Sequence, residues 1–522
     1  MNEKQRESLL GHFSEDEPFG PINASQVHGR EANELLFDTH NKLYKGLSKR
    51  PSIVVGRKGA GKTAYLNSCY FDDFYRFVVK LDTAEQFMLV VDAVERATLP
   101  NYFAESVASV WDRIIHIALF CELRGKLPQH HRITNLISDY LAKHGLNPGS
   151  GFAAVLWHIA DVLSDRSKGT VGIVAEIVRR VASTEYEELK KSFLQYLDER
   201  DQRVVVILDS LDDFRLDSAE VSRALQGLLK HIGRSNTPRS RIDVRFCLPA
   251  ELYHSFTQIS SNPTKDFQRE LTLHWIAPEL RILAVHRMLI YFELFFPKRL
   301  EQYKHLDSST KRGARTIWDS IFPRSISRTK YDVHESALSY IFRHTQLLPR
   351  HVLILLNSIA RSARRTDGNN GLQITEEAII EGISLVENRI VQEVFSAYKT
   401  VHPNAQNVCR ACIPELGNVF SLGDLERVFR RHGKAVFHSD DFNDFRALLV
   451  ETGVIGKRIE ETENYIQAQF EYTVPNHLHF SADDMYCVHP LYSGPFSSKV
   501  SVPKPIYPYG TNADDPDYRS LA

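Results

Sequence analysis

Two periods of apolar residues run through this chain. Short runs rich in β-branched and aromatic residues read as strands: Ser52-Ile-Val-Val55, Phe77-Val-Val-Lys-Leu81, Val204-Val-Val-Ile-Leu208, Ile242-Asp-Val-Arg-Phe-Cys-Leu248 and Glu270-Leu-Thr-Leu-His-Trp275. The run at 204–208 is apolar throughout, as in a parallel strand covered on both faces. Between the runs, apolar residues recur at helical spacing over Ala104–Cys121 (with Trp111, Ile114, Ile115, Ile117 and Leu119), Arg132–His144, Ala153–Ser164 and Val171–Glu199. Strands separated by helices predict an α/β fold with a parallel sheet and right-handed crossovers. About 120 residues lie between the second and third strands, far more than a plain crossover needs. They read as a large helical insertion, serving subunit contacts or partner recognition, or else as helices that simply enlarge the core.

Residues 279–365 again carry helical spacing, and Thr366-Asp-Gly-Asn-Asn-Gly371 reads as a loop. Farther on, helices at Leu422–His432 and Asp441–Thr452 precede extended stretches at Tyr465–Val474 and Asp484–His489. The final residues, rich in Pro, Tyr and Asp, read as an extended tail.

Candidate chemistry starts directly after the first strand. Gly56-Arg57-Lys58-Gly59-Ala60-Gly61-Lys62-Thr63-Ala64 fits the phosphate-binding pattern GxxxxGK[ST], with a helix starting at about Thr63. Glycines let successive backbone N–H groups converge on phosphate oxygens, and the helix start adds its positive end. Lys62 is placed to reach the β- and γ-phosphates, and the Thr63 hydroxyl to face Mg²⁺. Arg57 and Lys58 add positive field to the loop.

A second motif closes the third strand, where Val204-Val-Val-Ile-Leu-Asp-Ser-Leu-Asp-Asp213 runs from apolar into acid. In parallel sheets, ligands sit beyond the carboxyl ends of strands. Asp209 therefore stands where a carboxylate holds Mg²⁺ opposite Thr63. Asp212 and Asp213 either act on the attacking water or cap the helix that follows.

Together these residues resemble the AAA+ and STAND P-loop ATPases: a phosphate loop, a distant strand ending Leu-Asp-Ser-Leu-Asp-Asp, two more strands and a helical lid. Asp209-Ser-Leu-Asp-Asp213 is similar to the STAND pattern Asp-Gly-Leu-Asp-Glu, and Leu348-Pro-Arg-His-Val-Leu353 resembles the sensor-two helix start of origin-recognition ATPases. The resemblance implies that Pro349 borders the adenine and Arg350 reaches the γ-phosphate. It also implies an arginine finger just before the fifth strand, a position held by Arg269, and a base-proximal segment at His28-Gly-Arg-Glu31. The C-terminal order of helices and extended stretches resembles a winged helix. Two departures, Ser210 after Asp209 and Cys247-Leu-Pro249 where a polar sensor belongs, imply slow, switch-like hydrolysis.

The expected organisation is an N-terminal segment 1–28 and a P-loop ATPase core 29–278 with its insertion at about 83–202, followed by a helical lid 279–400, a winged-helix-like domain 401–490 and an extended tail 491–522.

Composition narrows the picture only modestly. Across 522 residues, 43 % hydrophobic and 25 % charged content with a net charge of −1 describe a soluble globular protein. The polar start and the lack of any apolar run near ~20 residues give no signal peptide or membrane span. Six scattered cysteines fit a reduced, cytoplasmic protein. Cys409, Cys412, Cys487 and His489 set out four zinc ligands on paper, although 407–416 also reads as helix within a core. Lys298–Lys330 holds nine Lys/Arg against three acids, a patch able to meet a phosphate backbone or to stay a solvated face. By contrast, the second C-terminal helix carries Asp441 and Asp444 but only Arg446, which suits protein contact or autoinhibition better than DNA reading.

No second active site is visible. The leading reading is therefore an ATP- and Mg²⁺-dependent, slowly hydrolysing homo-oligomer, serving as sensor or scaffold for a separate effector. The STAND resemblance implies bacterial anti-phage defence. The alternatives are an origin-recognition-like, ATP-dependent DNA-binding protein and a non-hydrolysing interaction scaffold.

Overall fold

The computed structural model describes residues 3–27, 30–38, 51–66, 75–82, 91, 103–143, 184–209, 219–237, 239–253, 259, 270–327, 330–331, 333–367, 372–474 and 478–511. The chain divides into two compact units, one of Tyr44–Gly56 and Tyr65–Leu273, the other of Met1–Leu43, Arg57–Ala64 and His274–Ala522.

The first unit is built on strands β1 (Ile53–Gly56), β2 (Phe77–Asp82), β3 (Val204–Asp209), β4 (Ile242–Pro249) and β5 (Glu270–Thr272). All five are parallel, in the order β2-β3-β4-β1-β5. Each of the five predicted runs supplies one strand. Asp209 ends β3 in register with Asp82 at the end of β2, and Gly56 ends β1 in register with Pro249. A strand buried on both faces must be apolar or must pair its polar groups, and β4 does the latter. Its buried Arg245 donates from Nε to the Pro51 carbonyl at 2.7 Å, and Asp243 accepts from the Tyr75 hydroxyl.

Helices α1 (Phe103–Leu123), α2 (Arg132–Lys143), α3 (Thr184–Glu199) and α4 (Ala219–Ser235) join that sheet in one continuous core. The helix α2 buries Ile133, Ile137, Tyr140 and Leu141, the i, i+4, i+7, i+8 stripe of an amphipathic helix. Helix α1 crosses α4 closely. Trp111 Nε1 donates to the Ala224 carbonyl at 2.9 Å, and a Cβ on Gly227 would stand 2.3 Å from Val107 Cγ1. Only glycine permits that approach. Lys190 on α3 meets Asp112 on α1 at 2.6 Å. The described helices of the expected insertion thus share the core of the sheet, because their apolar stripes have strands and α4 to cover. Residues 153–164 and 171–183 lie outside the described residues.

In the second unit, α5 (Ala277–Phe295) is buried around most of its surface, and α6 (Lys311–Asp319) follows it. Next come α7 (Ala337–Arg343), α8 (Pro349–Asp367) and α9 (Glu376–Ala397). On α7, buried Arg343 meets buried Glu335 through Nη2 to Oε1 at 3.1 Å and Nε to Oε2 at 3.1 Å.

The C-terminal part contains α10 (Ala405–Cys412), β6 (Val419–Phe420), α11 (Leu422–Val428), α12 (Phe442–Glu451), β7 (Ile455–Glu461), β8 (Ile466–Gln469), β9 (Tyr486–Val488), α13 (Pro490–Ser493) and β10 (Ile506–Pro508). These strands form a second sheet in the order β10-β8-β7-β9-β6, antiparallel except for the β8–β10 pair. Two expectations change here. Residues 491–511 do not trail off: Ile506–Pro508 pairs with Ile466–Ala468, and Tyr507 donates to Glu335 at 2.8 Å. Strand β7, absent from the predicted elements, is the middle strand of that sheet.

Candidate nucleotide-phosphate loop

The loop leaves β1 at Gly56, whose neighbour β5 ends at Thr272. Gly59 and Gly61 hold φ of +91° and +96°, the left-handed region that side chains resist. Around them the loop closes on itself through the Ala60 N–H to the Arg57 carbonyl at 2.9 Å. The Ala60 carbonyl in turn accepts from Trp275 Nε1 at 2.8 Å. Among the described residues, nothing lies within 4 Å of where a Cβ on Gly61 would stand. A helix over Lys62–Leu66 follows. Lys62 is only 7 % exposed, with Nζ 3.5 Å from the Arg57 carbonyl, folded over the loop. Thr63 and Ala64 occupy its first turn, half-buried, and Lys58 is half-buried in the loop.

Arg57 does something the motif does not foretell. Its guanidinium donates to the Gln346 side-chain oxygen and lies 5.2 Å from the Tyr472 ring centroid. Both partners are uncharged, so the Arg57 charge stays beside the loop while its side chain is held by residues far from the motif in sequence.

Leu348-Pro349-Arg350 stands against the same loop. Pro349 opens α8, and the Arg350 N–H donates to the Gly59 carbonyl at 3.3 Å. A Cβ on Gly59 would lie 3.1 Å from Arg350 Cβ. Arg350 Nε is shielded from water and has no hydrogen-bond partner among the described residues. A buried guanidinium N–H left unpaired is costly, and an anion beside it removes that cost. The neighbouring His351 is fully buried; burial first, then the Arg57 and Arg350 charges, push its pKa down to about 3.

Other predicted residues fall differently. Asp209 is placed at the carboxyl end of β3, but its side chain, with Ser210, Asp212, Asp213, Arg269, His28 and Gly29, lies outside the described residues. Strand β4 ends on buried Cys247 and Leu248 before Pro249, so this strand end offers no polar side chain. The zinc arrangement does not form. His489 Nδ1 accepts from the Leu491 N–H at 3.0 Å, and its Nε2 is bonded to the Tyr472 hydroxyl at 2.6 Å. Both ring nitrogens are thereby taken, and among the described residues no group of His, Cys, Asp and Glu is arranged to hold a metal. Gln346, Tyr472 and Trp275 were not legible as site residues. Trp275, closing the fifth apolar run, is the one of the three whose position offered a signal.

The parallel five-stranded sheet with the glycine-rich loop on β1 and an aspartate ending β3 defines an α/β P-loop NTPase fold with helical insertions. No family model matches the chain. It is 19 % identical over 506 residues to the "Putative transposon gamma-delta 80.3 kDa protein" of Escherichia coli K12, covering 92 % of this chain and 67 % of that protein. Among solved structures, it is similar to the Aeropyrum pernix ORC2 protein in its ADPNP–ADP complexes, at 12 % identity and a TM-score of 0.34, covering 87 % of this chain and 88 % of that one. Cdc6p from Pyrobaculum aerophilum compares at 11 % identity and a TM-score of 0.29, covering 92 % and 96 %. No described helix is long and apolar enough to cross a membrane.

Proposed function

We propose that the chain binds ATP with Mg²⁺ through residues 56–64 and hydrolyses it slowly. In this reading it is an oligomeric, cytoplasmic switch that acts as sensor or scaffold for a separate effector. The observation that carries the reading is a left-handed glycine loop whose Gly59 carbonyl accepts from the Arg350 backbone N–H, with the shielded Arg350 Nε lacking a hydrogen-bond partner among the described residues. Backbone N–H groups and Lys62 hold the phosphates, Pro349 borders the base, and Arg350 takes the γ-phosphate. Thr63 and Asp209 would hold Mg²⁺, which when bound neutralises charge on the β- and γ-phosphate oxygens. Asp212 or Asp213 orients water. Slow turnover is supported by the apolar end of β4. The assignment to anti-phage defence rests on the STAND-like Asp209–Asp213 turn, and the winged-helix reading of 401–490 on its order of elements.

The test separates binding from turnover. Arg350→Ala is expected to bind ATP within a few-fold of wild type while hydrolysis drops by about 10² or more, since it stabilises transition-state charge. Arg269→Ala, acting across subunits, is expected to lose ~10³ in rate and to regain part of it when mixed with Lys62→Ala. Wild-type turnover by both arginine variants, read as phosphate release, overturns these roles.

One observation favours the nucleic-acid reading as a second possibility. On α6, Lys311, Arg312 and Arg315 line the exposed face while Ala314, Ile317 and Trp318 are buried. Reversing the three charges should flatten the log–log salt dependence of DNA or RNA binding by about 3. An unchanged slope removes this face from the reading, and no wild-type binding at low salt ends it.

A further inference from the structure

Arg57 opens the phosphate loop, yet its side chain serves a buried amide 289 residues away. Gln346, 1 % exposed, accepts from Arg57 on Oε1. Its Nε2 donates to the Thr452 carbonyl and to the Tyr492 hydroxyl, both at 2.9 Å. The Tyr492 hydroxyl itself donates to the Thr452 carbonyl at 3.1 Å, closing a triangle. Gly453, at φ +69°, would place a Cβ 2.7 Å from Nε2, so the backbone after α12 presses directly on this amide. On its other side the Arg57 guanidinium lies over Tyr472, whose hydroxyl is bonded to His489.

The loop depends on the same residue. The Arg57 carbonyl takes the Ala60 N–H that shapes the turn, and it is the group toward which Lys62 Nζ folds. Displacing Arg57 therefore moves the oxygen that sets both the curl of the loop and the place of its lysine. Hydrogen bonds from an ionised donor inside a low-dielectric interior are strong and costly to leave unmade.

We propose that Arg57 and Gln346 are positioning residues that lock the phosphate loop to the second, C-terminal sheet, so that nucleotide binding and the packing around Thr452, Tyr472 and Tyr492 are coupled. The inference rests on the nucleotide-binding reading above. The lock holds the loop in its phosphate-ready curl, so breaking it weakens binding. Coupling is reciprocal, so bound nucleotide must tighten the C-terminal contacts.

The experiment uses the full-length chain with MgATP, measuring affinity by calorimetry and backbone hydrogen exchange over peptides spanning 452–456 and 470–474. In wild type, MgATP should slow exchange in both peptides. Gln346→Met, which keeps the volume but loses the amide, should bind about tenfold more weakly and show no nucleotide-dependent change there. Tyr472→Leu, altered only on the sheet side, should show the same uncoupling, which covers the case of a misfolded Gln346→Met. Gln346→Glu, which can still pair with Arg57 but cannot donate to Thr452, should keep most of the affinity yet lose the exchange response. Wild-type binding of MgATP with no exchange response, or a full response in both uncoupling variants, overturns the lock and leaves the nucleotide site standing. Failure of the wild type to bind MgATP overturns both.

Discussion

Lys62→Ala is expected to lose ATP binding by about 10²-fold while leaving the fold intact. The lysine is 7 % exposed and folded over the loop carbonyl of Arg57, so its ammonium acts from a site where water screens little. A charge-assisted contact to phosphate in such a place contributes about 1.5–3 kcal/mol, and 2.7 kcal/mol is roughly 10² in affinity. Backbone N–H groups of the loop survive the substitution, so residual binding is expected rather than none. Calorimetric titration with MgATP, alongside a thermal melt, makes the measurement. Wild-type affinity in the variant would mean that phosphates do not sit in this loop.

Glu335→Ala should be the most damaging single change in the second unit. Glu335 is 2 % exposed, meets Arg343 through both carboxylate oxygens, and also accepts from Tyr507. Truncation leaves a buried guanidinium without its counter-charge, at a cost of about 3–5 kcal/mol. At 2–4 °C per kcal/mol, the melting temperature should fall by roughly 10 °C. Removing both charges tests the cause. Because the penalty comes from the orphaned partner, Glu335→Leu with Arg343→Leu should be less destabilised than Glu335→Ala alone. A single variant melting within a degree or two of wild type would show that Arg343 finds another partner.

The sequence was most legible where local pattern and tertiary demand agree. The first five strands were readable because parallel strands are rich in β-branched and aromatic residues, and the Gly59/Gly61 conformation because the loop's spacing requires it. β7 escaped because Ile455-Gly-Lys-Arg-Ile-Glu-Glu461 is buried only at its first residues. Its place in the sheet comes from backbone pairing, which leaves no period in the side chains. β10 escaped for the opposite reason. The prolines around Ile506 argue against a strand, but an edge strand tolerates residues that cannot donate. The partner of Arg57 was not legible, because nothing local to the loop points to Gln346. Arg350 was singled out through resemblance alone, and its shielded Nε has no hydrogen-bond partner among the described residues.

The membership of Arg57–Ala64 in the second unit, while β1 belongs to the first, bears on how this protein can be taken apart. A fragment ending at residue 273 keeps all five strands of the parallel sheet. It nevertheless leaves behind Trp275, Gln346 and Arg350, the residues that fasten the loop at Ala60, Arg57 and Gly59. A fragment beginning at 274 keeps those fasteners and has no loop to fasten. Gene fusions or truncations drawn at that boundary would separate the loop from what shapes it. Any selection that preserves the loop must act together on residues 57–64 and on Trp275, Gln346 and Arg350.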